Sequence, residues 1–278
     1  MLGVDKMDLS IVIVTHNNFT NKYGCIENVI TNLLKQKDVV FEVIIIDNNS
    51  DKYDIQQLKK LHLKYENLVV SYSAINNISC GRNIGAKLAK SDLILFMDDD
   101  MILIDDTTLY DVCKLAQQSS YGYSATRLWT LEGWYEKNKL DFDKLIQGKE
   151  KIIGKYLILP DPKIRNKKNV RHLARTYIGN FGFIKKDVLE TIGFWDETYK
   201  GYGLEDDDMA LKLYLKYGLP KILQKIEVAH ISHPIKETNY IELEKNKLIF
   251  DKKLKKYGIK VFHIGRLMYE ESDILEKC

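Results

Sequence analysis

Leu93-Ile94-Leu95-Phe96-Met97-Asp98-Asp99-Asp100 is the stretch on which the fold turns: five apolar residues run without a break into three carboxylates. A short, uninterrupted apolar run bounded by polar residues reads as a strand buried on both faces, the kind that parallel sheets contain. Toward the N-terminus the same pattern recurs at residues 9–14 and 41–46, and a further strand is predicted at 68–73. The segments between these strands have helical period. Residues 23–36 put Cys25, Ile26, Val29, Ile30, Leu33 and Leu34 on one face, residues 53–65 do so with Ile55, Leu58 and Leu61, and residues 81–89 make a short helix. The order β-α-β-α-β-α-β predicts an α/β fold, with a doubly wound, mostly parallel central sheet flanked by helices. Ligands of such sheets bind beyond the carboxyl ends of the strands.

The chain has 278 residues, 45% hydrophobic and 29% charged, an ordinary globular composition that argues against wholesale disorder. Its 42 basic and 39 acidic residues leave a net charge of +3, too even to mark a nucleic-acid binder. Cys25, Cys80, Cys113 and Cys278 are far apart with no CxxC pair, which argues against a structural zinc site and a disulfide framework. The longest apolar runs, at 11–14, 43–46 and 93–97, are too short to span a bilayer. Residues 1–8 hold no apolar stretch of signal-peptide length. The expectation is a cytoplasmic protein with at most peripheral contact at the inner face of a membrane.

Polar residues follow each strand: Thr15-His16-Asn17-Asn18, then Asp47-Asn48-Asn49-Ser50-Asp51, then Asp98-Asp99-Asp100. The first two groups are also good turn formers. Three consecutive carboxylates are more than a turn needs; they repel one another, and hard oxygen ligands suit Mg²⁺ or Mn²⁺ bridging a diphosphate. Arg82, just before a helix, suits a phosphate or nucleobase clamp, although alone it reads as a surface residue. The second half is less regular. Strands are expected at 123–129 and 222–231, helical turns at 187–192, a helix at 205–217 and a basic amphipathic helix at 241–257. The basic stretch 163–171 reads as a solvated loop. Glu205-Asp206-Asp207-Asp208 opens a helix, where the macrodipole favours one or two acids but not four. One of them is a candidate general base, and Gly201 and Gly203 would let the backbone turn tightly beneath a ligand. His230 or His233 is a candidate to complete an oxygen-rich metal site. With no repeat and no convincing linker, one domain is expected, with a nucleotide-binding half and an acceptor half.

Taken in order, Ser10-Ile11-Val12-Ile13-Val14-Thr15-His16-Asn17, then 43–46 with Asp47-Asn48-Asn49-Ser50, Gly81-Arg82-Asn83-Ile84-Gly85 and Phe96-Met97-Asp98-Asp99-Asp100 resemble a family 2 glycosyltransferase of the GT-A fold. Gly193-Phe194-Trp195-Asp196-Glu197, followed by Tyr202-Gly203-Leu204-Glu205-Asp206-Asp207-Asp208, resembles the corresponding segment of β-1,4-galactosyltransferases and chondroitin-type polymerases. The resemblance spans residues 8–235. It divides the chain into a nucleotide-sugar-binding half, 8–105, and an acceptor half with the acidic helix, 106–278. It implies that Thr15, Asp47, Asn48 and Arg82 contact the nucleotide, that Asp98 lies near the ribose, and that Asp100 holds the metal. Asp99 would substitute in either of the last two roles. Asp206 would be the base and Glu205 would help bind acceptor or donor sugar. His230, or failing it His233, would be the second metal ligand. Tyr202, Gly203 and Trp195 would face the sugar or acceptor, Trp195 fitting a core position equally well.

The implied reaction is inverting and metal-dependent, with Mn²⁺ or Mg²⁺. It moves a galactose, N-acetylgalactosamine or glucose unit from a nucleotide-diphosphate sugar, expected to be UDP-linked, to a glycan, lipid-linked or peptide acceptor. Asn48 departs from the pattern, since many members have a second acid there. The chain has no QxxRW motif and no membrane anchor, which disfavours a processive synthase. A retaining transferase on the same fold, a nucleotidyltransferase and a non-catalytic nucleotide-sugar-binding protein are the alternatives. A nucleotidyltransferase would carry a Gly-rich basic loop after its first strand, and a binding protein would be expected to lose its acids.

Overall fold

The computed structural model describes residues 7–130, 152–157, 177–218, 221–231, 237–258 and 269–270. Strands β1 (Leu9–Thr15), β2 (Phe41–Asn48), β3 (Leu68–Ser73) and β4 (Leu93–Asp98) alternate with helices α1 (Ile26–Leu33), α2 (Lys52–Lys64) and α3 (Ile78–Leu88). These four strands are parallel, in the order β3-β2-β1-β4. Their side chains alternate between the two sheet faces, and each face has its own core. Ile11, Ile13, Val43, Ile45, Leu95 and Met97 pack with Val29, Ile30 and Leu33 of α1 on one side. Val12, Ile44, Ile46, Ile94 and Phe96 pack with Ala86 and Trp195 on the other. Burial on both faces is the reason β1, β2 and β4 carry the apolar runs 11–14, 43–46 and 93–97.

The chain then turns through Asp99 and Asp100 into the three-residue strand β5 (Met101–Leu103) and helix α4 (Thr108–Ala116). The sheet is widened by β6 (Tyr121–Thr130), β7 (Ile152–Leu157), β8 (Phe181–Lys185), β9 (Lys221–His230) and β10 (Tyr269–Glu270). β8 inserts antiparallel between β4 and β6. β9 runs parallel to β6 and antiparallel to β5. Helices α5 (Lys186–Ile192), α6 (Glu205–Tyr217) and α7 (Glu237–Lys256) complete the chain. The basic stretch 163–171 and His233 lie outside the described residues.

Two close approaches fix the site. A Cβ on Gly81 would come within 2.8 Å of Val14 and one on Gly85 within 2.3 Å of Val12. The two glycines are one turn apart, so α3 can lie close over β1, which brings Arg82 against the strand ends. The second is the pairing of Met101 with His230 across β5 and β9. None of the helices among the described residues is long and apolar enough to cross a membrane.

Candidate active site

Arg82 is the centre of the site. It is 3% exposed, yet it carries a charge no protein environment removes. Its Nη1 donates to Asp206 Oδ1 at 3.0 Å and lies 3.7 Å from Glu205 Oε1; its Nη2 lies 3.4 Å from Asp98 Oδ1. Its Cζ stands 4.3 Å over the Trp195 ring. Burial works against the guanidinium charge, but Asp206, Asp98 and Glu205 outweigh it and push the Arg82 pKa up. The planar fork of arginine can hold carboxylates from two elements at once, which a lysine ammonium does less well. Arg82 thereby joins the end of β4 to the first turn of α6.

Asp206 is held a second time. Its Oδ1 also accepts from the Gly179 N–H at 3.1 Å. Gly179 has no room for a side chain: a Cβ there would stand 2.7 Å from Asp206 Oδ1 and 2.8 Å from both Arg82 Cζ and Trp195 Cη2. Beside it, burial raises the Glu205 carboxyl to about 7, with Asp206 adding to the effect and Arg82 opposing it.

The three aspartates after β4 have different surroundings. Asp98 meets Arg82, and burial, with Asp100 and Asp206 nearby, pushes its pKa up against the pull of Arg82. Asp99 Oδ2 accepts from Thr15 Oγ1 at 2.5 Å and from Asn18 Nδ2 at 2.8 Å. Burial and then Asp100 raise the Asp99 carboxyl to about 7, despite these two donors. Asp100 Oδ2 stands 3.2 Å from His230 Nε2. The Ile231 N–H donates to the Asp100 carbonyl at 3.0 Å, so the β5–β9 pairing itself brings this pair together.

The remaining expected residues fall as follows. Asp47 is 1% exposed and accepts from the Ser50 N–H at 3.2 Å, and its Oδ1 is buried without a hydrogen-bond partner among the described residues. Asn48 uses its amide on the loop before α3, donating to Asn76 Oδ1 and accepting from the Asn77 N–H, both at 2.9 Å. Thr15 is 2% exposed and its hydroxyl is committed to Asp99. Tyr202 is half-buried, and Gly203 has φ 87°, a left-handed backbone that favours glycine.

Of the two positions open to Trp195, the structure shows the core one. It is 2% exposed, with Phe96 edge-on at 5.4 Å, Tyr177 at 6.1 Å and Arg82 over its ring, so it serves as a core platform beneath the guanidinium. Asp99 Oδ2 is held against the loop after β1 by Thr15 and Asn18.

The family model for glycosyl transferase family 2 matches residues 10–193, a span that includes the ends of β1 to β8 but not those of β9 and β10. The chain belongs to glycosyl transferase family 2. Among curated relatives of the family, the uncharacterized glycosyltransferase YfnE of Bacillus subtilis is 24% identical over 263 residues, covering 82% of this chain and 66% of that protein. Among solved structures, S. aureus TarS 1–349 in complex with UDP-GlcNAc superimposes with a TM-score of 0.57 at 19% identity, covering 89% of this chain and 67% of that one. GalNAc-T7 with UDP, GalNAc and Mn²⁺ gives a TM-score of 0.57 at 14% identity, covering 82% of this chain and 44% of that one. At these identities the solved structures show the shared GT-A fold. The chain spans just under two thirds of the length of YfnE.

Several residues of this family 2 site had no role assigned to them from the sequence. Asn83 exchanges hydrogen bonds with the Trp195 backbone at 2.9 and 3.0 Å. Asn77 caps α3 and donates to the Glu197 and Tyr199 carbonyls, both at 3.0 Å. Gly179 was visible only as a glycine in an apolar stretch. The available signal was a short polar or absent side chain amid apolar neighbours.

Proposed function

We propose that the protein is an inverting, metal-dependent transferase that moves a hexose or N-acetylhexosamine from a UDP-sugar to an acceptor hydroxyl. The observation that carries this reading is the single buried Arg82 holding Asp98, at the end of β4, and Asp206, at the start of α6, within 3.4 Å of its two nitrogens. Donor-side and acceptor-side carboxylates are thus fixed to one rigid group. UDP-GlcNAc and UDP bound to family-fold neighbours support the choice of nucleotide.

In this mechanism Asp47, with an unsatisfied buried oxygen, accepts a base N–H, and Asp98 accepts from the ribose. Asp206 takes the acceptor proton: Arg82 and Gly179 both bind its Oδ1, and Oδ2 is the oxygen assigned to the proton. Glu205 binds a sugar hydroxyl. The acceptor oxygen then displaces the diphosphate from the opposite face of the anomeric carbon.

Asp100 and His230 fit a divalent cation, since adjacent ligands of an octahedral ion with bonds of about 2.1 Å lie about 3 Å apart, and here the two donor atoms are 3.2 Å apart. Such an ion would neutralise the charge on the leaving diphosphate. The division into a donor half, 8–105, and an acceptor half, 106–278, belongs to the same proposal.

The test is a panel of UDP-sugars, with and without Mn²⁺, scored for UDP release and for binding by calorimetry. One sugar is expected to bind and be slowly hydrolysed only with metal. Asp206→Asn should lower turnover by roughly 10²–10⁴-fold with donor affinity unchanged. A folded protein that binds none of the panel, or an Asp206→Asn variant as active as wild type, overturns the reading.

A further inference from the structure

Helix α7 lies wholly outside the span matched by the family model, which ends at residue 193. Its inward face is not the simple apolar stripe of a packing helix. Phe250 and Leu254 join Tyr199 and Leu211 in a small core, but Asn246, 2% exposed, and Lys253 lie on the same side. A fully buried amide on a helix is costly unless every polar atom is used. Asn246 uses both of its polar atoms on the backbone of a single loop. Its Oδ1 accepts from the Lys200 N–H at 3.1 Å. Its Nδ2 donates to the carbonyls of Lys200 at 2.8 Å, Gly203 at 2.9 Å and Tyr202 at 3.2 Å.

The loop so held is the one that leads into the acidic helix. Gly201, Gly203 and Leu204 all have left-handed backbones, with φ of 61°, 87° and 74°. Leu204 pays for that conformation without the freedom of glycine, so the surroundings must impose it. α7 supplies them. The Glu242 carboxylate accepts from the Tyr202 N–H at 3.1 Å, and a Cβ on Gly201 would lie 2.1 Å from that same carboxylate. A Cβ on Gly203 would lie 2.8 Å from Leu243. Two turns further along α7, Lys253 bonds Asp208 at 2.6 Å and also Asp196. One helix therefore grips the segment 196–208 at its start, at its loop and in the first turn of α6.

The geometry points to Asn246 as the positioning residue of this site: it fixes the 200–204 loop in its left-handed path, and through it the place of Glu205 and Asp206 relative to Arg82. The placement of Asp206 as base rests on the reading proposed above. The ordering of the loop by Asn246 does not.

The experiment compares wild type with Asn246→Ala, the near-isosteric Asn246→Asp, and Leu254→Ala, which weakens the same helix without touching the loop's hydrogen bonds. Amide exchange is followed on the peptide covering 199–205, and kcat for UDP release from UDP-GlcNAc with Mn²⁺, water being the acceptor, and the Kd of UDP-GlcNAc are measured below the melting point of every variant. Asn246→Ala should speed exchange of that peptide and lower kcat, each by at least about tenfold, with donor Kd within about threefold of wild type. Asn246→Asp keeps the acceptor but loses both amide protons, so it should show the same pattern even if the alanine variant does not fold. Leu254→Ala trims the core on which Tyr199 and Leu204 pack but keeps the loop's hydrogen bonds, so it should change kcat and exchange of the peptide less than either Asn246 variant does. Loop exchange in the Asn246 variants no faster than in Leu254→Ala, or a freed loop with unchanged kcat, overturns the inference. If wild type itself turns over no donor, the transferase reading fails, and the exchange data alone then decide whether Asn246 orders the loop.

Discussion

Replacing Arg82 by methionine keeps most of the side-chain volume and removes the charge on which Asp98, Glu205 and Asp206 converge. Taking one partner from a buried ion pair costs about 3–5 kcal/mol, because the other is left uncompensated. Here the uncompensated groups are carboxyls that protonation can relieve. Arg82 lowers the pKa values of both Asp98 and Glu205, and the latter already stands at about 7. Without it both rise further. A carboxyl whose folded pKa exceeds its unfolded value costs nothing below the unfolded value, near 4, and costs more as pH climbs through the folded one. A pKa one unit higher is worth about 1.4 kcal/mol, so a rise of about one unit in each group adds roughly 2–3 kcal/mol to the deficit between pH 5 and pH 8. The expected loss for Arg82→Met is therefore about 3–5 kcal/mol at pH 8 and about 1–2 kcal/mol at pH 5. Urea unfolding followed by circular dichroism at the two pH values measures it. A deficit equal at pH 5 and pH 8, or larger at pH 5, would refute the assignment of Arg82 as the counter-charge of this cluster.

Gly179→Ala should cost about 1–3 kcal/mol of stability through overpacking and, by pushing Asp206 or Arg82 aside, about 10²-fold in turnover; wild-type kinetics would show that the site can yield there. His230→Ala should weaken Mn²⁺-dependent UDP-sugar binding by at least about tenfold and leave metal-free UDP binding alone, measured by calorimetry. Burial favours the neutral Asp196 carboxyl, but the Lys253 hydrogen bond prevails and brings it down to about 2. Its contribution is present above pH 4 and lost as pH falls through 2, so Asp196→Asn should flatten the decline in thermal stability between those values.

The parallel half of the sheet was legible because residues 11–14, 43–46 and 93–97 pack into the cores on both faces, and these stretches have no polar residue to break the run. The acidic helix was legible to the residue, since Gly218 stops it after Tyr217. The predicted helix at 23–36 is shorter, Ile26–Leu33, because Gly24 sits against the Asn18 carbonyl and Asn18 Oδ1 accepts from the Ile26 N–H at 2.9 Å to start it. The three-residue β5 was invisible, being too short to show a period. In the site, clustered acids drew attention to Asp98, Asp100 and Asp206, and the burial of Arg82 overturned its reading as a surface residue. The placement of Asp99 and Trp195 depended on what lies across the fold from them. Asn246 spoke only as one polar residue on a helix, indistinguishable in sequence from its exposed neighbours.

The contact between β5 and β9 has a consequence for the order in which the site is assembled. Asp100 and His230 meet only because residues 101 and 230 pair across the sheet, a closure over nearly half the chain. The parallel strands that carry the aspartates are all complete by residue 98. During synthesis the aspartates therefore emerge, and can fold, long before their histidine partner exists. A chain halted before β9 would present all three acids and Arg82 without His230 or α7. In the proposed reading a cation held by Asp100 and His230 would therefore be bound late, only once β9 has joined the sheet.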